Sequence, residues 1–293
     1  MPEVAWSGWG EMQAYLDIKA LNNTGKPGDI LPALVVKQLR RAYYASVSYT
    51  DHNVGLVMDA LEKNGYADNT VVSFWGDHGW QLGEHGEWCK HTNFDLATNA
   101  PMFLVVPGLT DAGIVTHTPT EYVDLMPTLA ELAFNFTVPP CPDGNTSAVQ
   151  LCTHGVSMVP LIADPHTPVR KAAYSQYPRP WKNEAPGSGD RDAAAAASTS
   201  IVGTPSPSEC LTKKCTMGYS MLTNVDGVEY RYTEWAAFNN KRFGKPDWAH
   251  LAGRELYNHS SDPLENVNIA SADGSSPLEQ SLSALLKEHP TTV

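Results

Sequence analysis

From Pro32 to about Asn64, apolar residues recur at intervals of three and four, at Val36, Leu39, Tyr43, Val47, Val54, Val57 and Leu61. That spacing predicts a long amphipathic helix with a first-turn proline and Gly65 as its stop. A different texture follows. Thr70-Val71-Val72-Ser73-Phe74-Trp75 is a β-branched and aromatic run that breaks at Gly76-Asp77-His78-Gly79. It predicts a buried strand over 70–76 whose carboxyl end delivers polar groups into a loop. A second apolar run, residues 101–106, ends at Pro107-Gly108, and a helix is expected over 121–134, with Pro127 marking a kink or the true start. Helix, strand, loop, strand, helix is the order of an α/β layer protein. In such sheets, ligands and metals gather outside the carboxyl ends of the strands.

After about residue 165 the pattern turns to short β-like runs, at 172–178, 217–223, 228–235 and 254–258, and then an amphipathic helix over roughly 277–287. These predict a small antiparallel sheet with one packed helix. The expected division is therefore 1–165 as an α/β part and 166–293 as a small C-terminal subdomain. Between the first two of those strands, about 184–209 is low-complexity sequence with five consecutive alanines and many Ser, Thr and Pro residues, which buries little.

Composition narrows the function classes. The 293 residues are 42% hydrophobic and include eight tryptophans, enough for a sizeable core. No run of about eighteen apolar residues exists to span a membrane, and the first residues lack the basic and apolar blocks of a signal peptide. A formal charge of −12 argues against nucleic acid, because no basic stripe is present to neutralise a phosphate backbone. Lys37, Arg40 and Arg41 read as a solvated helix face. The ten histidines would offset much of that charge in an acidic compartment. Cys141 with Cys152, and Cys210 with Cys215, form two local pairs suited to small disulfide loops, leaving Cys89 as the odd one. Asn22, Asn135, Asn145 and Asn258 each begin a glycosylation sequon, which together with paired cysteines favours a secretory route.

The chemistry concentrates between Gly76 and His91. Asp77 and His78 are metal-ligand candidates, since hard cations take carboxylate oxygen and imidazole is a common ligand. Lys90 is a point charge suited to a tetrahedral anion. His85 and His91 are candidates for acid–base work, Glu84 and Glu87 form a carboxylate pair or a turn, and Trp80 lines a sugar site or packs in a core.

Taken in order, Asp77-His78-Gly79-Trp80, Gly83-Glu84-His85-Gly86-Glu87-Trp88, Lys90, Asn93-Phe94-Asp95 and Ala97-Thr98 closely resemble the iduronate 2-sulfatase branch of the sulfatase family. The resemblance extends upstream to Tyr44-Ala45-Ser46-Val47-Ser48-Tyr49. Downstream it takes in Val123-Asp124-Leu125, Tyr174-Ser175-Gln176-Tyr177-Pro178-Arg179-Pro180, Tyr230-Arg231-Tyr232-Thr233 and Glu255-Leu256-Tyr257. It implies an alkaline-phosphatase-like α/β sandwich and hydrolysis of sulfate esters at glycosaminoglycan ends in heparan or dermatan sulfate. It also implies a lysosomal or secreted location. By analogy Asp77 and His78 help hold a calcium ion, Lys90 contacts the substrate sulfate, Trp80 lines the sugar, and Cys141 and Cys152 close a disulfide loop.

The chain departs sharply from the family at its nucleophile and at part of its metal site. None of its five cysteines lies in the Cys-x-Pro-Ser-Arg context that yields the formylglycine nucleophile, and the family's early Asp-Asp metal pair is missing. The chain is therefore expected to begin inside the catalytic domain, to hold an incomplete calcium site and no nucleophile, and to be inactive by itself. Uncovered apolar faces are expected to make it aggregation-prone. One alternative is a non-catalytic module binding sulfated glycans; another is a zinc phosphodiesterase of the same superfamily, with Asp51 and His52 as the nearest further ligands. The sugar, the metal and the oligomeric state stay open.

Overall fold

The computed structural model describes residues 1–21, 23, 25–142, 149–180, 215–238 and 245–288. In chain order it runs α1 (Leu16–Lys19), α2 (Ala33–Lys63), β1 (Val72–Trp75), β2 (Gln81–Leu82), β3 (Trp88–Cys89), α3 (Asp95–Thr98) and β4 (Met102–Val105). It continues with α4 (Leu125–Phe134), α5 (Val159–Ala163), β5 (Ala172–Pro180), β6 (Cys215–Val225), β7 (Val228–Phe238), β8 (Pro246–Asn258) and α6 (Pro277–Glu288). Each periodic run forms the element its pattern predicts. Pro127 is the third residue of α4, so it marks the helix start, where a missing N–H costs nothing. The sequons at Asn22 and Asn145, the cysteine at 210 and the low-complexity stretch lie outside the described residues.

The chain divides into two compact units, each built from separate stretches of sequence. One unit joins Met1–Arg41, Asp77–Ala100 and Tyr174–Val293; the other joins Ala42–Gly76 and Pro101–Ala173. The polar loop thus groups with the N-terminal segment and the C-terminal sheet, not with the strand that precedes it.

In the first unit, a four-stranded sheet is ordered β5-β6-β7-β8, with β6, β7 and β8 antiparallel. The β6–β7 hairpin pairs Val225 with Val228 across Asp226-Gly227, whose φ angles of 53° and 84° are those of a type I′ turn. The β6–β7 ladder is unbroken, the β7–β8 ladder shifts register around Ala236, and Tyr232, Trp235 and Tyr257 are almost completely buried. A second core gathers Trp9, Met12, Ile18, Leu31, Trp88 and Cys89, against which Val35, Val36, Leu39, Trp80 and Leu82 pack. The N-terminal segment is therefore the support under β2 and β3, and through them under the polar loop.

In the second unit, β1 pairs antiparallel with β4, from Val72 opposite Val105 to Trp75 opposite Met102. Phe74 stacks on Phe103 at 4.7 Å. The expected buried strand is only half-buried, and Trp75 is 48% exposed. The reason is physical: a sheet of two strands has little of either face covered. Leu125, Met158 and Leu161 form the unit's core. Asp124 is fully buried beside them, accepting from Val156 N (2.7 Å) and Arg170 Nε (2.7 Å). At Gly155 a Cβ would sit 1.9 Å from the Val123 carbonyl oxygen, so only glycine allows this crossing. Cys141 and Cys152 are disulfide-bonded as expected, and Cys215 is also disulfide-bonded.

Helix α2 has no buried residue, and Tyr44, Val47, Tyr49, Leu56 and Val57 are each more than half exposed. Exposed apolar surface on this scale marks an association or aggregation surface. The chain should therefore enhance the fluorescence of a hydrophobic dye under native conditions and self-associate, and Leu56→Glu with Val57→Glu should reduce both. A monomer by sedimentation that leaves the dye dark would contradict this reading.

Candidate active-site loop

The loop begins where β1 ends. Gly79 donates its N–H to the Ala97 carbonyl at 2.9 Å, and a Cβ there would lie 2.1 Å from the Leu96 oxygen. The bare backbone thus lets the Asp77-His78 turn lie flat on α3. His78 Nδ1 lies 2.8 Å from the Gly79 carbonyl oxygen, which can only accept, so Nδ1 carries the proton. The lone pair on Nε2 then faces Asp77 Oδ2 at 3.3 Å. Two electron-rich donors side by side repel unless a proton or cation lies between them, which suits a shared cation. Among the described residues, however, no group of three or more His, Cys, Asp or Glu could hold a metal. A calcium ion takes six or more oxygens, so these two donors fit part of such a site and not the whole. Asp51 and His52 lie on α2 and both are exposed.

From His78 the strip continues to Trp80, whose ring stacks with the imidazole at 6.0 Å. Lys90 Nζ lies 5.3 Å from the centre of the same indole. Asp77, His78, Trp80 and Lys90, all singled out from the sequence, thus follow one another in pairwise contact. The other sequence candidates do different work. Glu87 is fully buried and accepts from Ser7 N (2.8 Å) and Ser7 Oγ (2.6 Å). Burial raises its carboxyl above the usual range, against the lowering effect of those hydrogen bonds. Glu84 caps Leu82 N at 2.5 Å, so the two glutamates form no pair. His85 stacks on Phe94 at 4.0 Å and points Nε2 at the Leu264 carbonyl, 2.6 Å away, a structural role. Cys89 is buried, and desolvation pushes its thiol up to about 12, so it stays protonated and is no nucleophile.

His91 holds a different position. Its Nε2–H donates to Glu11 Oε2 at 2.9 Å, and its Nδ1 accepts from the Tyr177 hydroxyl at 2.7 Å. The other Glu11 oxygen takes Lys90 Nζ at 3.2 Å. Burial depresses the His91 imidazole below its usual value, although Glu11 pulls the other way. Behind it, buried Arg179 donates to the carbonyls of His91 (2.7 Å) and Ala5 (3.0 Å). Burial lowers that guanidinium to about 10, still cationic at neutral pH. Glu11 and Arg179 were missed as site residues. Arg179 stands in a quoted motif, but nothing in the pattern around Glu11 marks it, because its role depends on a fold that brings residue 11 to residue 90.

The loop is pinned to the sheet by buried charges. Glu265 receives the Asp95 N–H at 2.8 Å, pairs with Arg231, and lies 2.8 Å from His259 Nε2. Arg231 sits over the rings of Phe94 (5.0 Å) and Tyr257 (4.8 Å), and Asn93 donates to the Gly218 carbonyl at 3.0 Å.

The sulfatase family model matches residues 9–136, the segment that carries this whole strip. Mouse iduronate 2-sulfatase is 35% identical across 92% of this chain, and the human enzyme of that name is 33% identical across 92%. The chain is thus similar to the sulfatases over most of its length. It spans about half the length of these relatives, 50% of each. A solved structure of a protein with its substrate D-glucosamine-2-N,6-O-disulfate superposes with a TM-score of 0.58 at 23% identity, covering 96% of this chain and 46% of that one. That likeness carries the fold, which is the alkaline-phosphatase-like α/β fold of sulfatases.

Burial alone would lower the His259 imidazole, but its hydrogen bonds to Glu229 and Glu265 raise it to about 9. A raised folded value means the contribution to stability is full below the ordinary imidazole value of 6.5 and is lost as pH rises through about 9. Urea unfolding should therefore show about 2–3 kcal/mol less stability at the alkaline end of that window. His259→Gln should flatten the dependence; an unchanged slope in that variant would refute the assignment.

Proposed function

We propose that this chain is the sulfate-binding part of a sulfuric ester hydrolase of the iduronate 2-sulfatase type, acting on glycosaminoglycan ends. The observation that carries the reading is the line from Asp77 and His78 through Trp80 to Lys90, spanned by ring contacts of 6.0 and 5.3 Å. Lys90 supplies a positive charge for a non-bridging sulfate oxygen, and an aromatic face beside it suits a pyranose ring. As the ester is attacked, negative charge builds on the sulfate, and a fixed ammonium stabilises that state more than the ground state. A calcium ion, when bound, adds the same kind of neutralisation. Asp77 and His78 would be two of its ligands, with Asp77 the more typical donor.

The 293 residues contain no Cys-x-Pro-Ser-Arg sequence, so the chain supplies binding groups and no nucleophile. Binding of sulfated glycans without hydrolysis is accordingly what the isolated chain should display. A lysosomal or secreted setting accords with its disulfide and with the sequon at exposed Asn135; the sequon at Asn258 is half-buried.

A sulfated disaccharide derived from heparan sulfate tests this directly. The chain should bind it and release no inorganic sulfate, and Lys90→Ala should weaken binding about tenfold, the size of one charge-assisted hydrogen bond. Equal affinity in the wild type and Lys90→Ala would defeat the assignment of Lys90, and release of sulfate by the isolated chain would defeat its inactivity.

A further inference from the structure

The sulfate-binding reading leaves one feature of the loop unexplained, which is that the Lys90 ammonium already holds an anion. Glu11 spans two donors with its two oxygens, Lys90 Nζ at 3.2 Å and His91 Nε2 at 2.9 Å. The His91 ring is braced from its other side by the Tyr177 hydroxyl at 2.7 Å, and its backbone carbonyl by Arg179 at 2.7 Å. The His91 donor is therefore fixed from behind. The carboxylate is the more movable partner, because Glu11 lies just outside the short 3-10 turn Met12–Ala14. All three side chains are about 30% exposed, at 27%, 30% and 31% for Glu11, Lys90 and His91, so a solute can reach the contact.

Two oxygens of a sulfate monoester are spaced much like those of a carboxylate. A group that reaches Lys90 meets the same pair of N–H donors that Glu11 now occupies. We infer that Glu11 is an internal competitor for the anion site of Lys90 and His91, displaced when a sulfated ligand binds. The inference rests on the proposed role of Lys90 and adds two things to it. His91 Nε2–H becomes a second donor to the sulfate, and the free chain is held in a self-occupied state. A competitor lowers apparent affinity by the fraction of molecules in which the site is open. A half-exposed ion pair contributes up to about 1 kcal/mol, which sets the expected effect at about fivefold.

The test is calorimetric titration of inorganic sulfate into the full 293-residue chain as wild type, Glu11→Gln and Lys90→Ala, with the sulfated disaccharide run in parallel. Glu11→Gln should bind sulfate about fivefold more tightly than wild type, and Lys90→Ala should lose it. Equal or weaker binding by folded Glu11→Gln, with Lys90→Ala still impaired, overturns the competitor while the sulfate-binding reading stands. Binding that Lys90→Ala leaves untouched, or no binding of either ligand by any variant, overturns both. Should Glu11→Gln fail to fold, isotope-edited NMR of the wild-type Glu11 carboxyl carbon decides: a shift that follows sulfate saturation supports displacement, and a resonance that stays fixed while sulfate binds overturns it.

Discussion

The buried pairing of Glu265 with Arg231 and His259 is the constraint on which the loop geometry depends. Each of these groups would be costly to bury alone, and together they neutralise one another. Burial pushes the Glu265 carboxyl up, but Arg231 and His259 hold it below its ordinary value, so it stays an acceptor for the Asp95 N–H. That one bond ties the start of α3 to the segment after β8. Arg231 adds a flat cation against Phe94, and Phe94 in turn stacks on His85. A single charged cluster therefore fixes two stretches of the loop, around residues 85 and 95, against the sheet, whose β6–β7 ladder is unbroken.

With those ends fixed, the remaining geometry follows from small residues and hydrogen-bond direction. Glycine at 79 lets the Asp77-His78 turn touch α3, and the Gly79 carbonyl sets the His78 tautomer. The core around Trp9, Met12 and Trp88 sets the height of β3, so that Lys90 leaves it beside Trp80. Polar groups that resemble catalytic candidates in sequence are consumed by this framework. Glu87 anchors Ser7, and His85 anchors the Leu264 carbonyl. Among the candidates, the Lys90 ammonium, the His91 imidazole, the Trp80 face and the exposed Asp77 carboxylate stay reachable.

Much of this was legible in the sequence, for identifiable reasons. The period of Val36, Leu39 and Tyr43 gave α2, and the break at Gly76 located the loop, because both signals are local. The extent to which β1 is covered was not legible, since it depends on how many strands flank it. The grouping of Met1–Arg41 and Asp77–Ala100 with the C-terminal sheet was likewise hidden, being a matter of contacts between residues far apart in the chain. Glu11 illustrates the limit: its partners are Lys90 and His91, about eighty positions away. Asp77, His78, Trp80 and Lys90 could be singled out because they crowd into one short stretch whose order resembles a family's.

The most direct test of the central claim, that the charged cluster on the sheet holds the loop in place, is amide hydrogen exchange in wild type and Glu265→Gln. Loss of the charge should accelerate exchange throughout residues 85–98, including amides that do not touch residue 265, while the β6–β7 hairpin stays protected. Acceleration confined to Asp95 and the immediate neighbours of Glu265 would mean that the loop holds its shape without the cluster, and the account would fail.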